Sequence, residues 1–299
     1  MKSLDDMIDK ACRLPQKQTV AICGADSDGM VHLAAEAVGI GLCDVIMVGD
    51  ARNIDTMLSQ YPQGKDIRVV DEKDRVRSCF RAVELVSGGQ ANIFVKGNVN
   101  TSDFLRAVLD KKAGLRTGRK LNALSCYEIP GWDRLLFMAD GGMIVAPDLQ
   151  TKIDILHNCL PILHRMGIEE PRVAILAANE KVSPNMPATV DAQAIVKLAE
   201  EGGLPKGIYE GPMALDVILR REAAEKKGIQ SRVSGQADLI LVPSIETGNC
   251  LGKSIAYFGK GTMAGLIAGA AKPVIIASRA VSSKSKLASI AWAALSQQA

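Results

Sequence analysis

The chain has 299 residues, 47% apolar and 23% charged, with a net charge of +3 and only 4% aromatic residues. These proportions exclude a charge-swollen disordered chain, and the scarcity of aromatics beside plentiful glycine disfavours a sandwich of bulky strands. The length and composition leave an ordinary α/β protein of one large domain or two medium ones.

The first residues, MKSLDDMIDKACRL, are acidic and amphipathic, unlike a basic targeting leader. Short apolar runs then alternate with stretches of helical period. Strands are expected at 19–23, 45–48, 67–70 and 91–95, and helices at 28–38, 73–86 and 101–111. The stretch 122–147 offers no helix, only strand-like pieces (135–138, 143–146) joined by Ile129-Pro130-Gly131 and Asp140-Gly141-Gly142. It reads as the crossing between two lobes. A helix follows at 149–166, which Pro161 should kink or split. Then come a strand at 172–177, helices at 187–201 and 212–227, a strand at 239–242, a helix at 248–258, a strand at 274–277 and a helix at 283–295. Such alternation makes parallel sheets through crossover connections. The expected lobes are 1–125 plus 280–299, and 126–279, with the last helix returning to the first lobe and the cleft between lobes as the default ligand site.

Charge is spread unevenly. Beyond Glu246 there is no acid, while Lys253, Lys260, Lys272, Arg279, Lys284 and Lys286 all occur; a second acid-free stretch, 111–127, carries Lys111, Lys112, Arg116, Arg119 and Lys120. Both attract anions. A nucleic-acid face would add interleaved aromatics or a recognition helix, and neither is evident, so a small phosphate-bearing ligand is the better partner. Seven scattered cysteines with no C-x-x-C pair encode neither a disulfide framework nor a zinc cluster. No apolar run approaches the ~20 residues that span a bilayer. A soluble, cytoplasmic protein with no membrane partner is expected.

Four places invite chemistry. In FVKGNVNTSDFLRAVLD (94–110), a strand ends in Lys96-Gly97-Asn98 before a helix opened by Thr101 and Ser102. Gly97 would let backbone approach a ligand, and the helix start leaves amides free for an anion. Thr-Ser-Asp is equally a capping sequence. Lys96 and Arg106 are not needed for capping and would complete an anion cradle. CGADSDGM (23–30) lacks the Lys-Ser/Thr of a P-loop and the spacing of a dinucleotide fingerprint, so it reads as a plain strand-to-helix turn. Ser278 and Arg279 close a short strand, where an Arg can brace a phosphate and a hydroxyl can donate to an oxyanion, or simply sit in a Ser-rich turn. In PSIETGN (243–249), Thr247 and Asn249 are ordinary caps, and Glu246 is a candidate carboxylate. The three histidines lack metal-ligand spacing, and G-x-S-x-G is absent.

These segments together resemble a known family. The stretches VKGNVNTSDFLRAVLDKKAGLRTGR (95–119), EIPGWDRLLFMAD (128–140), LAANEKVSPNMPATVDA (176–192), EGPMALD (210–216), ADLILVPSIETGNCLGKS (237–254) and PVIIASRAVSSKSKLASIA (273–291) are similar, in order, to phosphate acetyl/butyryl transferases, and within them to the phosphate butyryltransferase branch. The resemblance implies a two-lobed α/β/α fold, isocitrate/isopropylmalate dehydrogenase-like, with mainly parallel sheets, assembled as a homodimer or higher homo-oligomer. It implies reversible transfer of a short-chain acyl group, butanoyl, from coenzyme A to inorganic phosphate, without a metal or redox cofactor. Acyl-CoA and phosphate are then the partners. Lys96, Gly97, Asn98, Thr101 and Arg106 would line the phosphate side, Ser278 and Arg279 would face the reacting centre, and Gly248, Asn249, Lys253 and Ser282 would lie near CoA. The alternatives are an acetyl-CoA enzyme, a non-catalytic CoA-binding relative and a decarboxylating hydroxyacid dehydrogenase, the last disfavoured by the acid-free C-terminal stretch. In one respect the sequence departs from the family. Where the acetyl branch has a carboxylate six residues beyond the arginine stands Ser285, and where many butyryl-type chains have Asp stands Val281, so Glu246 or the bound phosphate is left to handle the proton.

Overall fold

The computed structural model describes residues 1–276 and 281–297. Helix α1 (Leu4–Cys12) begins with a reciprocal cap: Ser3 Oγ accepts from Asp6 N at 3.0 Å, and Asp6 Oδ2 accepts from Ser3 N at 3.2 Å. There follow β1 (Gln18–Cys23), α2 (Asp28–Gly39), β2 (Cys43–Gly49), α3 (Ala51–Leu58), β3 (Arg68–Asp71), α4 (Arg75–Ser87), β4 (Ile93–Lys96) and α5 (Thr101–Val108). Helix α3, ARNIDTML, has only a sparse apolar stripe, which hid it in the sequence; Ile54 and Leu58 alone are buried, and Asp50 caps it.

The chain then builds a second unit. It holds β5 (Asn122–Glu128), β6 (Leu136–Ala139), α6 (Leu149–Arg165), β7 (Arg172–Leu176), α7 (Pro187–Glu200), β8 (Ile208–Met213), α8 (Leu215–Leu219), α9 (Arg221–Lys226), β9 (Leu239–Leu241) and α10 (Ile245–Tyr257). Strands β5 and β6 are antiparallel, and β6, β9, β7 and β8 are parallel in that order. Helix α6 runs unsplit through Pro161. The expected strand at 143–146 does not form, because the buried Asp140 carboxylate accepts the amides of Gly142, Met143 and Ile144 at 2.7, 2.8 and 3.3 Å and removes them from any ladder. The expected helix at 212–227 starts later and breaks at Arg220, which adopts an extended conformation.

Last come β10 (Thr262–Ala268), β11 (Val274–Ile276) and α11 (Ser283–Leu295). The two units are Ser3–Arg119 with Ala264–Ala299, and Lys120–Met263, so 120–125 falls in the second unit and 264–276 in the first, unlike the lobes expected from sequence. Strand order in the first unit is β3-β2-β1-β4-β11-β10, parallel except for β10. Helix α11 packs on α1 and α2, and Leu287 to Leu295 are buried with Trp292 at zero exposure. Phe94 and Phe104 stack with ring centroids 4.3 Å apart. The mixed α/β class with mostly parallel strands agrees with the sequence reading. Among the described residues no helix is long and apolar enough to cross a membrane.

Candidate functional site

Strand register decides where a ligand can sit. Cys23 of β1 pairs with Lys96 of β4, and Lys96 with Ile276 of β11, so the carboxyl ends of three parallel strands coincide. From β1 the chain crosses through α2 to β2 on one side, while β4 lies on the other. Between β1 and β4 the order therefore reverses, and such a switch point opens a crevice at the strand ends. A cavity of about 270 Å³ lies there, formed within the first unit by Ser27, Gly29, Met30, Lys96, Gly97, Asn98 and Lys286.

Its walls are tied together by backbone. Gly97 N donates to Cys23 O at 3.0 Å and Asn98 N to Gly24 O at 2.8 Å, which clamps the loop after β4 onto the loop after β1. Glycine is obligatory at 97, since a Cβ there would lie 2.3 Å from Cys23 O and 2.7 Å from Gly24 O. The close approach is to protein backbone, a reason different from the ligand contact expected for it. From α4, Ser78 Oγ accepts the Gly24 amide at 3.1 Å, and the Arg75 guanidinium donates to Asn98 O and to Asp26 Oδ2, the latter at 3.3 Å. Lys96 is 8% exposed, with Nζ 3.5 Å from Gly97 O. Beneath it, burial pushes the Cys23 thiol up, whereas Cys79, hydrogen-bonded by Cys23 and close to the Lys96 charge, is lowered.

Lys96, Gly97 and Asn98 are thus brought together as expected, but Thr101 and Arg106 are not part of the cavity lining. Asn100 is the N-cap of α5 and Thr101 its exposed first residue. Arg106, also exposed, is held by Asp103 on its own helix at 2.9 Å. Ser282 caps α11 by accepting from Ser285 N at 3.2 Å. Ser278 and Arg279 lie outside the described residues; they follow Ile276, the register partner of Lys96, by two and three positions.

The remaining candidates are on α10 of the second unit. Glu246 is exposed in the first turn, after the N-cap Ser244, and its carboxyl is held below the usual range by hydrogen bonds from its own amide and from Ser244. Gly248 is a packing glycine: a Cβ there would lie 2.6 Å from Gly141 Cα. Asn249 and Lys253 are exposed, the latter with Nζ 6.0 Å from the Tyr257 ring centroid. A larger cavity of about 620 Å³ in this unit is lined, among the described residues, by Glu170, Glu180, Glu200 and Glu210 against one cation, Arg232, a charge balance that repels phosphates.

Sequence reasoning passed over Ser27, Gly29 and Met30, read as a plain turn, and Lys286, counted only in the basic tail. The absence of acid near Lys286 was the available signal. What the turn needed was strand order, which no local pattern carries.

The first unit is a doubly wound α/β unit whose switch-point cavity is lined by two lysines, a charge that attracts anions. The family model described as "Phosphate acetyl/butaryl transferase" matches residues 61–294, and the chain belongs to that family. It is 38% identical over 99% of its length to the phosphate butyryltransferase of Clostridium acetobutylicum, covering 98% of that protein, and 35% identical over 92% to the phosphate acetyltransferase of Thermotoga maritima, covering 94%. Among solved structures, the branched-chain phosphotransacylase of Enterococcus faecalis superposes with a TM-score of 0.85 at 29% identity, over 94% of this chain and 100% of that one.

Proposed function

We propose that this protein is a phosphate butyryltransferase, moving a butanoyl group reversibly between coenzyme A and inorganic phosphate. The observation that carries the reading is the lysine-lined cavity at the strand ends of a chain from this family. A phosphate held by Lys96 would present an oxygen to the thioester carbonyl. That oxygen forms the C–O bond, the C–S bond breaks, and the thiolate leaves. Ser278 and Arg279 are assigned to the developing oxyanion and the phosphate charge. Gly248, Asn249, Lys253 and Ser282 are assigned to the CoA side, and Thr101 and Arg106 to the outer approach of phosphate. The isocitrate/isopropylmalate dehydrogenase-like architecture, homo-oligomeric assembly and a cytoplasmic setting belong to the same proposal.

The written reaction balances without a metal or redox group. Hydrogen phosphate loses its proton as it attacks, and the thiolate gains one. Two groups compete to carry that proton, Glu246 and phosphate itself. A carboxylate already held below its usual range is a weaker base, which favours direct transfer from phosphate to sulfur. Glu246→Gln is expected to keep the pH profile of kcat; a lost acidic limb would return the role to Glu246.

Thiol release from acetyl-, propionyl-, butyryl-, isobutyryl- and isovaleryl-CoA, with arsenate replacing phosphate, tests the reading. Butyryl-CoA is expected to give the highest kcat/KM. A preference for acetyl-CoA would select phosphate acetyltransferase, the activity named for the Thermotoga maritima relative, and one methylene separates substrates by only ~1–3 kcal/mol. Release from none would end the enzymatic proposal.

Arg75 gives a further expectation. Because it fastens Asn98 to Asp26 from outside the cavity, Arg75→Ala should raise the KM for phosphate several-fold and leave that for acyl-CoA unchanged. Because the guanidinium is half exposed, the pair should contribute under about 1 kcal/mol to stability.

A further inference from the structure

We propose that Lys286 is a second ligand of the phosphate, facing Lys96 across the switch-point cavity. This rests on the acyl transfer reading above and adds to it a residue from a distant part of the chain. Lys286 stands in the second turn of α11 and lines the cavity together with Lys96, Gly97 and Asn98 after β4 and with Ser27, Gly29 and Met30 around the start of α2.

Three observations separate Lys286 from an ordinary surface lysine. Its neighbours on α11 are already engaged: Lys284 Nζ lies 2.8 Å from Asp5 Oδ2, and Ser283 Oγ donates to Glu36. Among the described residues, Lys286 is in no ion pair. The acids of the adjoining loop do not neutralise the cavity either. Asp26 is taken by Arg75, and Asp28 is exposed and not in the lining. Two ammonium groups from separate elements, one of them 8% exposed, therefore share a space with no carboxylate among the described residues of its wall. An anion placed between them would be held from two elements at once.

The space suits a phosphate with something attached. About 270 Å³ corresponds to roughly nine waters at ~30 Å³ each, more than orthophosphate alone fills. Polar wall at Ser27, Asn98 and the two lysines can take up phosphate oxygens, and Met30 supplies an apolar flank. Ser27, the N-cap of α2, makes no side-chain capping bond, so its hydroxyl is available to a ligand. The occupant is inorganic phosphate in one direction and the phosphoryl end of an acyl phosphate in the other.

The test uses the full-length protein with Lys286→Gln and Lys286→Arg. Calorimetric titration with inorganic phosphate reads the site without any turnover, and steady-state kinetics read it with butyryl-CoA. Lys286→Gln is expected to weaken phosphate 10- to 100-fold in both measurements, to leave the KM for acyl-CoA within about twofold, and to recover most of the loss as Lys286→Arg. Gly29→Ala is an independent arm, because a Cβ there meets nothing within 4 Å and the helix tolerates alanine; the added methyl should weaken phosphate several-fold in a fully folded protein. Unchanged phosphate binding in Lys286→Gln overturns the inference, as does weakening of CoA by the same factor, which would place a CoA phosphate in the cavity. If the wild type binds phosphate and Lys286→Gln does not, while no acyl-CoA releases thiol, the inference stands and the acyl transfer reading falls.

Discussion

Replacing Lys96 by methionine should lower kcat/KM for phosphate by about two orders of magnitude while changing that for acyl-CoA no more than a few-fold. Lys96 is the last residue of β4, 8% exposed, and its register partners on both sides are the ends of β1 and β11. Its ammonium group is thus delivered to the cavity by three strands and has little freedom to lose. A hydrogen bond to a charged partner is worth ~1.5–3 kcal/mol, which at ~1.4 kcal/mol per decade spans roughly 10- to 150-fold. Methionine is chosen because it keeps an unbranched apolar stem in the buried part of the site. Initial rates at varied phosphate and varied butyryl-CoA measure both constants. Equal loss on both would mean that phosphate has been assigned to the wrong cavity.

The second large effect is on the fold itself. Gly97→Ala should destabilise the protein by about 3 kcal/mol, a cost typical of forcing extra volume into tightly packed structure. The new methyl would stand 2.3 Å from Cys23 O and 2.7 Å from Gly24 O, and both neighbours are backbone that cannot rotate away. Those carbonyls also accept the amides of Gly97 and Asn98, so relieving the clash breaks the bonds that clamp the two cavity loops. A urea midpoint and the phosphate KM should therefore worsen together. A variant with the wild-type midpoint would mean that the loops part more easily than their hydrogen bonds indicate.

Much of this was legible before any coordinates. The last helix was read at its observed bounds because it combines a Ser cap with a long apolar run, and α2, α4, α6 and α7 were close because their apolar spacing is helical. Strands β8 and β10 do not show in the sequence, and β5 shows only as a strand-like piece ahead of Ile129, for one reason. NALSCYE, IYEGPM and TMAGLIA are rich in small, polar or turn-forming residues, and their partners, not their own propensities, make them strands. In the same way Gly248 could be read as a wall for a ligand until Gly141 was seen against it.

Hydrophobic period, capping residues and net charge are local quantities, so the α/β class, most elements, the family and the cationic character of the candidate site could be read from the residues alone. Which charges meet depends on how the strands and helices pack. Lys96 and Lys286 line one cavity because β4 and α11 are neighbours across a sheet order that runs against chain order, while Arg106, nearer to Lys96 in sequence, is drawn off by Asp103 one turn away. Proximity along a chain sets local structure; proximity at a strand end is set by which strands pair, and that is a property of the packed whole.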